Sequence, residues 1–465
     1  MGKQATDLGK GSVGKLLFQL ALPAIIAQLV NVLYNIVDRI FIGRMPNGEL
    51  AMAGVGVAFP IIMIVSAFSA LVGMGGAPLA AIKMGEKDND GAEKIMTNSF
   101  STLVIIAIIL TISLLIFKEN ILWAFGASKD TIGYANDYIG IYLIGTLFVQ
   151  IGLGLNPFIN TQGFAKTGMI TVLIGAIINI VLDPILIFGF NMGVKGAALA
   201  TISAQFVSAV WVLLFLVGKK SVLKIRKKYI VPNLKVIGPI LLLGISPFIM
   251  QATESLVIIS MNNNLAKYGG DLAIGAMTIM SSVMQIILLP MMGLTQGAQP
   301  IISFNYGADK LDRVRKTFKL LLVSCLVYTT LMWGAIMIFP QVFVSIFNSN
   351  PKLVEITVWS MRIYFAGILL FGAQIACQQT FLALGQAKIS MILALLRKII
   401  LLIPLIFILP IFFENKLQGV LTAEPVADIT AAIVTIICFS IFYKKTLSID
   451  HSMQPTVEIA KTKDE

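Results

Sequence analysis

The chain has 465 residues, of which 57% are hydrophobic and only 12% are charged, and its formal net charge is +12. A soluble domain carries about 25% charged residues, so this composition indicates an integral membrane protein. The basic residues lie in the gaps between apolar runs and not on a separate polar module, which argues against nucleic-acid binding.

Twelve apolar runs are long enough to cross a bilayer, since a spanning helix needs about 20 apolar residues. They are too long and too uniformly apolar for the alternating strands of a membrane β-barrel. We therefore predict an all-α integral membrane protein with twelve transmembrane helices. In chain order the predicted spans are 15–38, 51–80, 97–117, 134–157, 168–190, 195–217, 237–262, 273–301, 317–339, 356–383, 388–411 and 417–443.

The second half of the chain repeats motifs of the first half. Pro78 and Gly85 recur 222 positions later as Pro300 and Gly307, and two further motifs recur at offsets within two residues of this value. Such agreement indicates duplication, and six spans between equivalent points make the two copies parallel. We predict an N-terminal lobe at 1–217, a linker at 218–236, a C-terminal lobe at 237–445 and a polar tail at 446–465.

The predicted linker, 218–236, is rich in lysine and arginine and contains no acidic residue. The positive-inside rule places this segment, and with it both termini, on the cytoplasmic side of the membrane. A basic run so close to the bilayer could also bind anionic lipids.

Two aspartates lie within apolar spans, Asp38 in the first and Asp183 in the fifth. A charge there costs roughly 2.5–3.5 kcal/mol, so such residues usually line a cavity or an ion path. Asn179 precedes Asp183 by one helical turn, and Pro184 follows it and weakens the helix. The helical rise places Asp38, Asp183 and Thr201 in the half of the lobe away from the linker. We predict that Asp38, Asn179, Asp183 and Thr201 bind one small cation or a proton, although Arg39 could pair with Asp38.

Other polar and methionine side chains are candidates for a substrate cavity. Glutamines and asparagines form one stripe on the first span, and Glu254 could add a second charge from the seventh. The amides could instead join helices to one another, while pliable methionines would tolerate varied apolar ligands. The candidates are Gln28, Asn31, Asn35, Gln205, Glu254, Gln285, Gln374, Gln378, Met277, Met280 and Met284, with helix kinks at Pro23, Pro184 and Pro247.

Cysteine and histidine chemistry has little support. Cys325, Cys377 and Cys438 lie in apolar runs without CxxC spacing, and the single histidine, His451, lies in the polar tail. We therefore expect no enzymatic activity, no cofactor and no metal other than a coupling ion.

At the end of the last span, Glu424 and Asp428 are expected to contact solvent.

Five segments of the chain carry a family resemblance: LALPAIIAQLVNVLYNIVDRIFIG, GAPLAAIKMG, GFAKTGM, NIVLDP and GAQPIISFNYG. Through them the chain resembles the multidrug and toxic compound extrusion (MATE) transporters over essentially its whole length, most closely their bacterial MepA-like branch. The resemblance implies a multi-pass antiporter of the bacterial inner membrane that acts as a monomer. It would expel lipophilic, often cationic, drugs or toxins in exchange for Na⁺ or H⁺ by alternating access between two lobes. It also implies a cation site on the four residues named above and a bent first helix at Pro23.

Other functions remain open from the residues alone. A flippase for lipid-linked saccharides or polysaccharides has related architecture, and Arg397 and Lys398 within the eleventh span would suit its anionic substrate. An ion channel should show a filter-like segment, and a membrane enzyme should show a nucleophile and a base, and we find neither pattern.

Overall fold

The structure is a computed structural model that describes residues 6–347 and 350–447, except for the side chain at 271. In this part of the chain, ten helices are long and apolar enough to cross a membrane, and two pairs of bent helices complete twelve spans. The predicted all-α fold is therefore confirmed. The first to twelfth spans are Val13–Gly43, Gly48–Gly85, Asn89–Ala124, Ile132–Ile144 with Thr146–Thr161, Ala165–Gly189, Val194–Val217, Leu234–Gly270, Leu272–Gly307, Leu311–Ile338, Pro351–Tyr364 with Ile368–Ala383, Ala387–Phe412 and Lys416–Leu447.

Shorter helical elements modify this plan. Three spans contain a π-helical segment, at Ile185–Gly189, Leu396–Leu402 and Tyr443–Leu447. A short helix, Pro340–Ser345, precedes the tenth span, and the linker contains one 3₁₀ turn, Lys227–Tyr229. Most of the predicted tail, including His451, lies outside the described residues.

Helix boundaries follow from local capping residues. The side chains of Asp88, Asn233, Asn350 and Asn415 each accept a hydrogen bond from a backbone N–H in the first helical turn that follows. These caps satisfy N–H groups that have no partner inside the helix. They begin the third, seventh, tenth and twelfth spans at the positions observed.

The fourth and tenth spans are not continuous, contrary to the sequence prediction. They bend by 60° and 48°, near Gly145 and Gly367, which are 222 positions apart. A Cβ atom at Gly145 would lie 2.5 Å from the Ile202 side chain, and one at Gly367 would lie 3.0 Å from the Pro425 Cα. The break in the fourth span therefore lies where the sixth span approaches closely, and the break in the tenth span lies where the twelfth span does. Neither position leaves room for a side chain.

The two lobes meet at the ends of the second and eighth spans. A Cβ atom at Gly85 would lie 2.0 Å from the Phe304 carbonyl oxygen, and one at Gly307 would lie 2.0 Å from the Ile82 carbonyl oxygen. Gly85 and Gly307 differ by 222 in number, and so do Ile82 and Phe304, so the contact is symmetric, as expected for parallel repeats. We call this the linker side, because the segment 218–233 lies on it, and we call the opposite side the far side.

The N-terminal segment adds a second contact between lobes on the linker side. The guanidinium of Arg313 donates to the carbonyl oxygens of Gly11 (2.7 Å), Lys10 (3.1 Å) and Leu8 (3.2 Å). Asn305 also donates to the Leu8 carbonyl oxygen, at 2.9 Å. Because the segment leads directly into the first span, these bonds tie the N lobe (the first six spans) to the C lobe (the last six).

The linker, in contrast, is held by the N lobe. Arg226 pairs with the buried Glu93 of the third span at 2.6 Å, and the backbone N–H of Asn233 donates to Asn98 at 2.7 Å. The linker is therefore packed along the N lobe up to the start of the seventh span.

Candidate functional site

The fifth and sixth spans bring three of the predicted site residues together. The amide nitrogen of Asn179 donates to Asp183 Oδ1 (3.3 Å) and to Thr201 Oγ1 (3.4 Å). Thr201 in turn donates to the carbonyl oxygen of Ala197, one turn earlier on its helix. All three side chains are buried. The cluster presents oxygen atoms in a region that water reaches poorly.

Asp38 of the first span completes the cluster. It is buried, and its carboxyl group lies within hydrogen-bonding range of the Asp183 carboxyl group. Asp38 Oδ1 and Asp183 Oδ2 have no hydrogen-bond donor among the described residues. Two ionised carboxylates repel each other at this range, so the arrangement requires a shared proton or a bound cation.

The helix changes character directly after Asp183. The α-helical part of the fifth span ends at Pro184, and Ile185–Gly189 continues as a π-helix. Proline lacks the N–H that an α-helix requires, and single π-helical turns occur often at functional sites. The first span, by contrast, continues as one α-helix through Pro23, and Pro247 lies within the α-helix that ends at Ala252.

A cavity of about 450 Å³ lies beside the cluster within the N lobe. Its walls come from the first, second, fourth, fifth and sixth spans. Asp38, Asn179 and Thr201 line it, whereas Asp183 lies behind this wall. Predicted candidates that also line it are Asn31, Asn35 and Gln205.

Tyrosines of the cavity wall were missed by the sequence analysis. Tyr34, Tyr138 and Tyr142 line the cavity together with Thr201. The rings of Tyr138 and Tyr142 stack with centroids 6.4 Å apart. Their spacing of four along the fourth span is a signal that could have placed them on one helix face. They give the cavity an aromatic surface with polar tips, which suits flat cationic ligands.

Arg39 forms no salt bridge with Asp38, although its charge lies near enough to act on that carboxyl group. Its guanidinium lies 5.5 Å from the ring centroid of Phe59, and no ion pair joins it to Asp38 among the described residues. The sequence left this pairing open, and the geometry favours Asp38 as a member of the cluster.

The remaining candidates do not line this cavity. Met277 and Met280 are buried in the apolar core of the C lobe, and Met284 packs against that core. Gln378 donates to Ser246 at 3.5 Å, which joins the tenth span to the seventh. The other side chains differ in exposure: Gln374 is buried, Gln28 and Glu254 are half-buried, and Gln285 is exposed.

The C lobe contains its own charged cluster. Lys398 pairs with Glu254 at 2.8 Å. Arg397 pairs with Asp428 at 2.6 Å and with Glu424 at 3.4 Å. Glu424 and Asp428 are 4% and 3% exposed, so the expectation that they contact solvent is wrong. Arg397 explains their burial, because it supplies opposite charge inside the lobe.

Two parallel six-helix lobes, with a buried carboxylate pair beside a polar cavity, define a membrane transporter. The MatE family model matches residues 23–185 and 247–408, once in each lobe. The chain therefore belongs to the MatE family, as its sequence motifs indicated.

Similar proteins cover nearly the full chain. The multidrug export protein MepA of Staphylococcus haemolyticus is 28% identical over 97% of this chain and 98% of its own length. MepA of Staphylococcus aureus strain NCTC 8325 is 27% identical over 91% and 94%. A crystal structure of MATE in the bent conformation aligns with a TM-score of 0.89 at 22% identity, over 96% of this chain and 100% of that one. An outward-facing multidrug resistance MATE transporter of the MOP superfamily aligns with a TM-score of 0.87 at 22% identity, over 95% and 99%.

Proposed function

We propose that this protein is a secondary active multidrug efflux transporter that exchanges lipophilic, often cationic, drugs or toxins for Na⁺ or H⁺. The observation that carries the proposal is the contact between the Asp38 and Asp183 carboxyl groups beside the N-lobe cavity. The names of the relatives, multidrug export proteins over nearly their full length, support it.

The coupling ion would act on the charge of the cavity wall. A cation or proton held between Asp38 and Asp183 removes one negative charge, which weakens the attraction for a cationic drug. Asn179 and Thr201 would orient the two carboxyl groups, and the oxygen atoms of the cluster suit Na⁺ as well as a proton. Each net positive charge that moves down the membrane potential supplies about 2.3 kcal/mol per 100 mV. A one-for-one exchange with a monovalent cationic drug moves no net charge and is driven by the ion gradient alone.

Alternating access would arise from movement of one lobe against the other. The close packing of Gly85 and Gly307 and the Arg313 contacts hold the lobes together on the linker side. The basic linker supports a cytoplasmic location for this side, and for both termini, in a bacterial cell. The protein would act as a monomer in the cytoplasmic membrane, with small molecules and lipids as its partners, without nucleic acid, cofactor or covalent chemistry.

A flippase for lipid-linked saccharides is not favoured. Such a protein needs free cationic groups for its anionic substrate, but Arg397 and Lys398 both pair with carboxylates. They also lie in the C lobe, whereas the cavity is lined by N-lobe residues.

Transport by purified protein in liposomes tests the proposal. Sodium and pH gradients are imposed separately, and movement of ethidium is followed by fluorescence. An antiporter should move ethidium under at least one gradient. A current of ions that does not depend on ethidium would instead indicate a channel and would overturn the proposal.

Asp183→Asn should abolish efflux while membrane expression stays normal, because an amide carries no negative charge and cannot take up or release a proton. Asp137→Asn is the matched control. Asp137 is an exposed carboxylate of the same lobe that pairs with Lys195 at 3.5 Å, so its loss should leave efflux intact. Full drug resistance in cells that carry Asp183→Asn at normal expression would disprove the assigned site.

A further inference from the structure

The charged cluster of the C lobe lies on the three spans that are equivalent, in the repeat, to the spans of the cation site in the N lobe. The N-lobe site is built on the first, fifth and sixth spans, and the C-lobe cluster is built on the seventh, eleventh and twelfth. Ala423 is 222 positions after Thr201, and Glu424 is the next residue. The cluster consists of Glu254, Arg397, Lys398, Glu424 and Asp428.

The cluster contains more acids than bases. Its three carboxyl groups face two cationic side chains, so full ionisation would leave one uncompensated negative charge inside the lobe. Lys398 is engaged with Glu254 at 2.8 Å, and Arg397 donates from Nε to Asp428 at 2.6 Å. The remaining contact, from Arg397 to Glu424, is long at 3.4 Å. Glu424 is thus the acid with the weakest compensation.

The second carboxyl oxygen of Glu424 is independent evidence that this group lacks the partners an ionised carboxylate needs. Glu424 Oε2 is buried and has no hydrogen-bond partner among the described residues, and the side chain is only 5% exposed. An ionised carboxylate with an unsatisfied buried oxygen is costly, whereas a protonated carboxyl group is neutral and gains a donor. We propose that Glu424 is a second proton-binding site, in the C lobe, which carries its proton in this conformation.

The surroundings of Glu424 show how the proton would leave. The ionisable groups that face it are Asp428 on its own helix, Arg397 and Lys398 on the eleventh span, Glu254 on the seventh and the buried Tyr364 on the tenth. Arg397 is also held against the ring of Phe371, at 4.7 Å from its centroid. A shift of the eleventh span that brings Arg397 closer to Glu424 would stabilise the ionised form and release the proton.

Infrared spectroscopy of the purified protein tests this assignment. The carbonyl-stretch band of a protonated carboxylic acid is recorded in H₂O and D₂O at neutral pH. All variants carry Asp38→Asn and Asp183→Asn, so that neither carboxyl group of the N-lobe pair can hold a proton. The band should be present in this background and should disappear with Glu424→Gln. It should persist with the matched control Glu355→Gln, which removes an exposed carboxylate of the tenth span outside the cluster.

Two outcomes would overturn the proposal. If the band persists with Glu424→Gln, another group holds the proton. If the background protein has no such band, Glu424 is ionised.

Should Glu424→Gln fail to give a single peak in size-exclusion chromatography, Glu424→Met, which is neutral and of similar length, replaces it. The infrared measurement does not involve ethidium transport. A negative infrared result therefore leaves the efflux proposal standing, and a loss of efflux leaves the assignment of Glu424 standing.

Discussion

The contact between Arg313 and the N-terminal segment should help to keep the linker side closed. Arg313→Ala removes the three hydrogen bonds to the carbonyl oxygens of Leu8, Lys10 and Gly11, and one to Asn305. The carbonyl groups belong to the N lobe and Arg313 belongs to the C lobe. The substitution therefore weakens the closed arrangement without touching the cavity.

The size of the effect follows from the number of bonds. A hydrogen bond contributes about 1 kcal/mol net in a partly exposed setting, so the three inter-lobe bonds contribute about 3 kcal/mol. Since about 1.4 kcal/mol is a factor of ten, the equilibrium between closed and open linker sides should shift roughly a hundredfold toward the open state.

Pulsed electron paramagnetic resonance can measure this shift. Spin labels at Lys166 and Lys388 report on the linker side, because both residues are exposed, begin equivalent spans and lie in different lobes. Arg313→Ala should increase the population with a long distance between labels. Arg315→Ala is the control, since Arg315 pairs with the exposed Asp312 of its own helix. Identical distance distributions for wild type and Arg313→Ala would refute the reasoning.

Two further predictions concern stability. Gly307→Ala should lower the melting temperature and weaken contact between lobes, because its Cβ would lie 2.0 Å from a backbone oxygen, whereas Gly238→Ala, with nothing within 4 Å among the described residues, should not. Equal melting temperatures for the two variants would contradict the packing argument. Arg397→Met should destabilise the protein by about 3–5 kcal/mol, because it leaves Asp428 buried without its partner. Thermal unfolding followed by tryptophan fluorescence measures this loss, and it should be partly reversed when Asp428→Asn is added.

Some features of the fold could be predicted because they depend on local composition. The length of an apolar run decides whether a helix can cross the bilayer, so the number of spans was correct. The repeat was visible because Pro78 and Gly85 recur at one offset as Pro300 and Gly307. The continuity of the fourth and tenth spans was predicted wrongly, since the breaks near Gly145 and Gly367 depend on neighbouring helices.

For the candidate site, the sequence by itself determined which polar residues the membrane would force inward. Their helical spacing and depth placed Asp183 near Asp38, and the structure brings them into contact. The tertiary structure alone decided that the cavity lies within the N lobe and that Tyr138 lines it. It also decided that Arg397 pairs with the buried Asp428, which lies 31 positions away in the chain. The physical reason is that a buried charge needs a partner within a few ångströms, and the helix that supplies the partner is set by packing and not by local sequence.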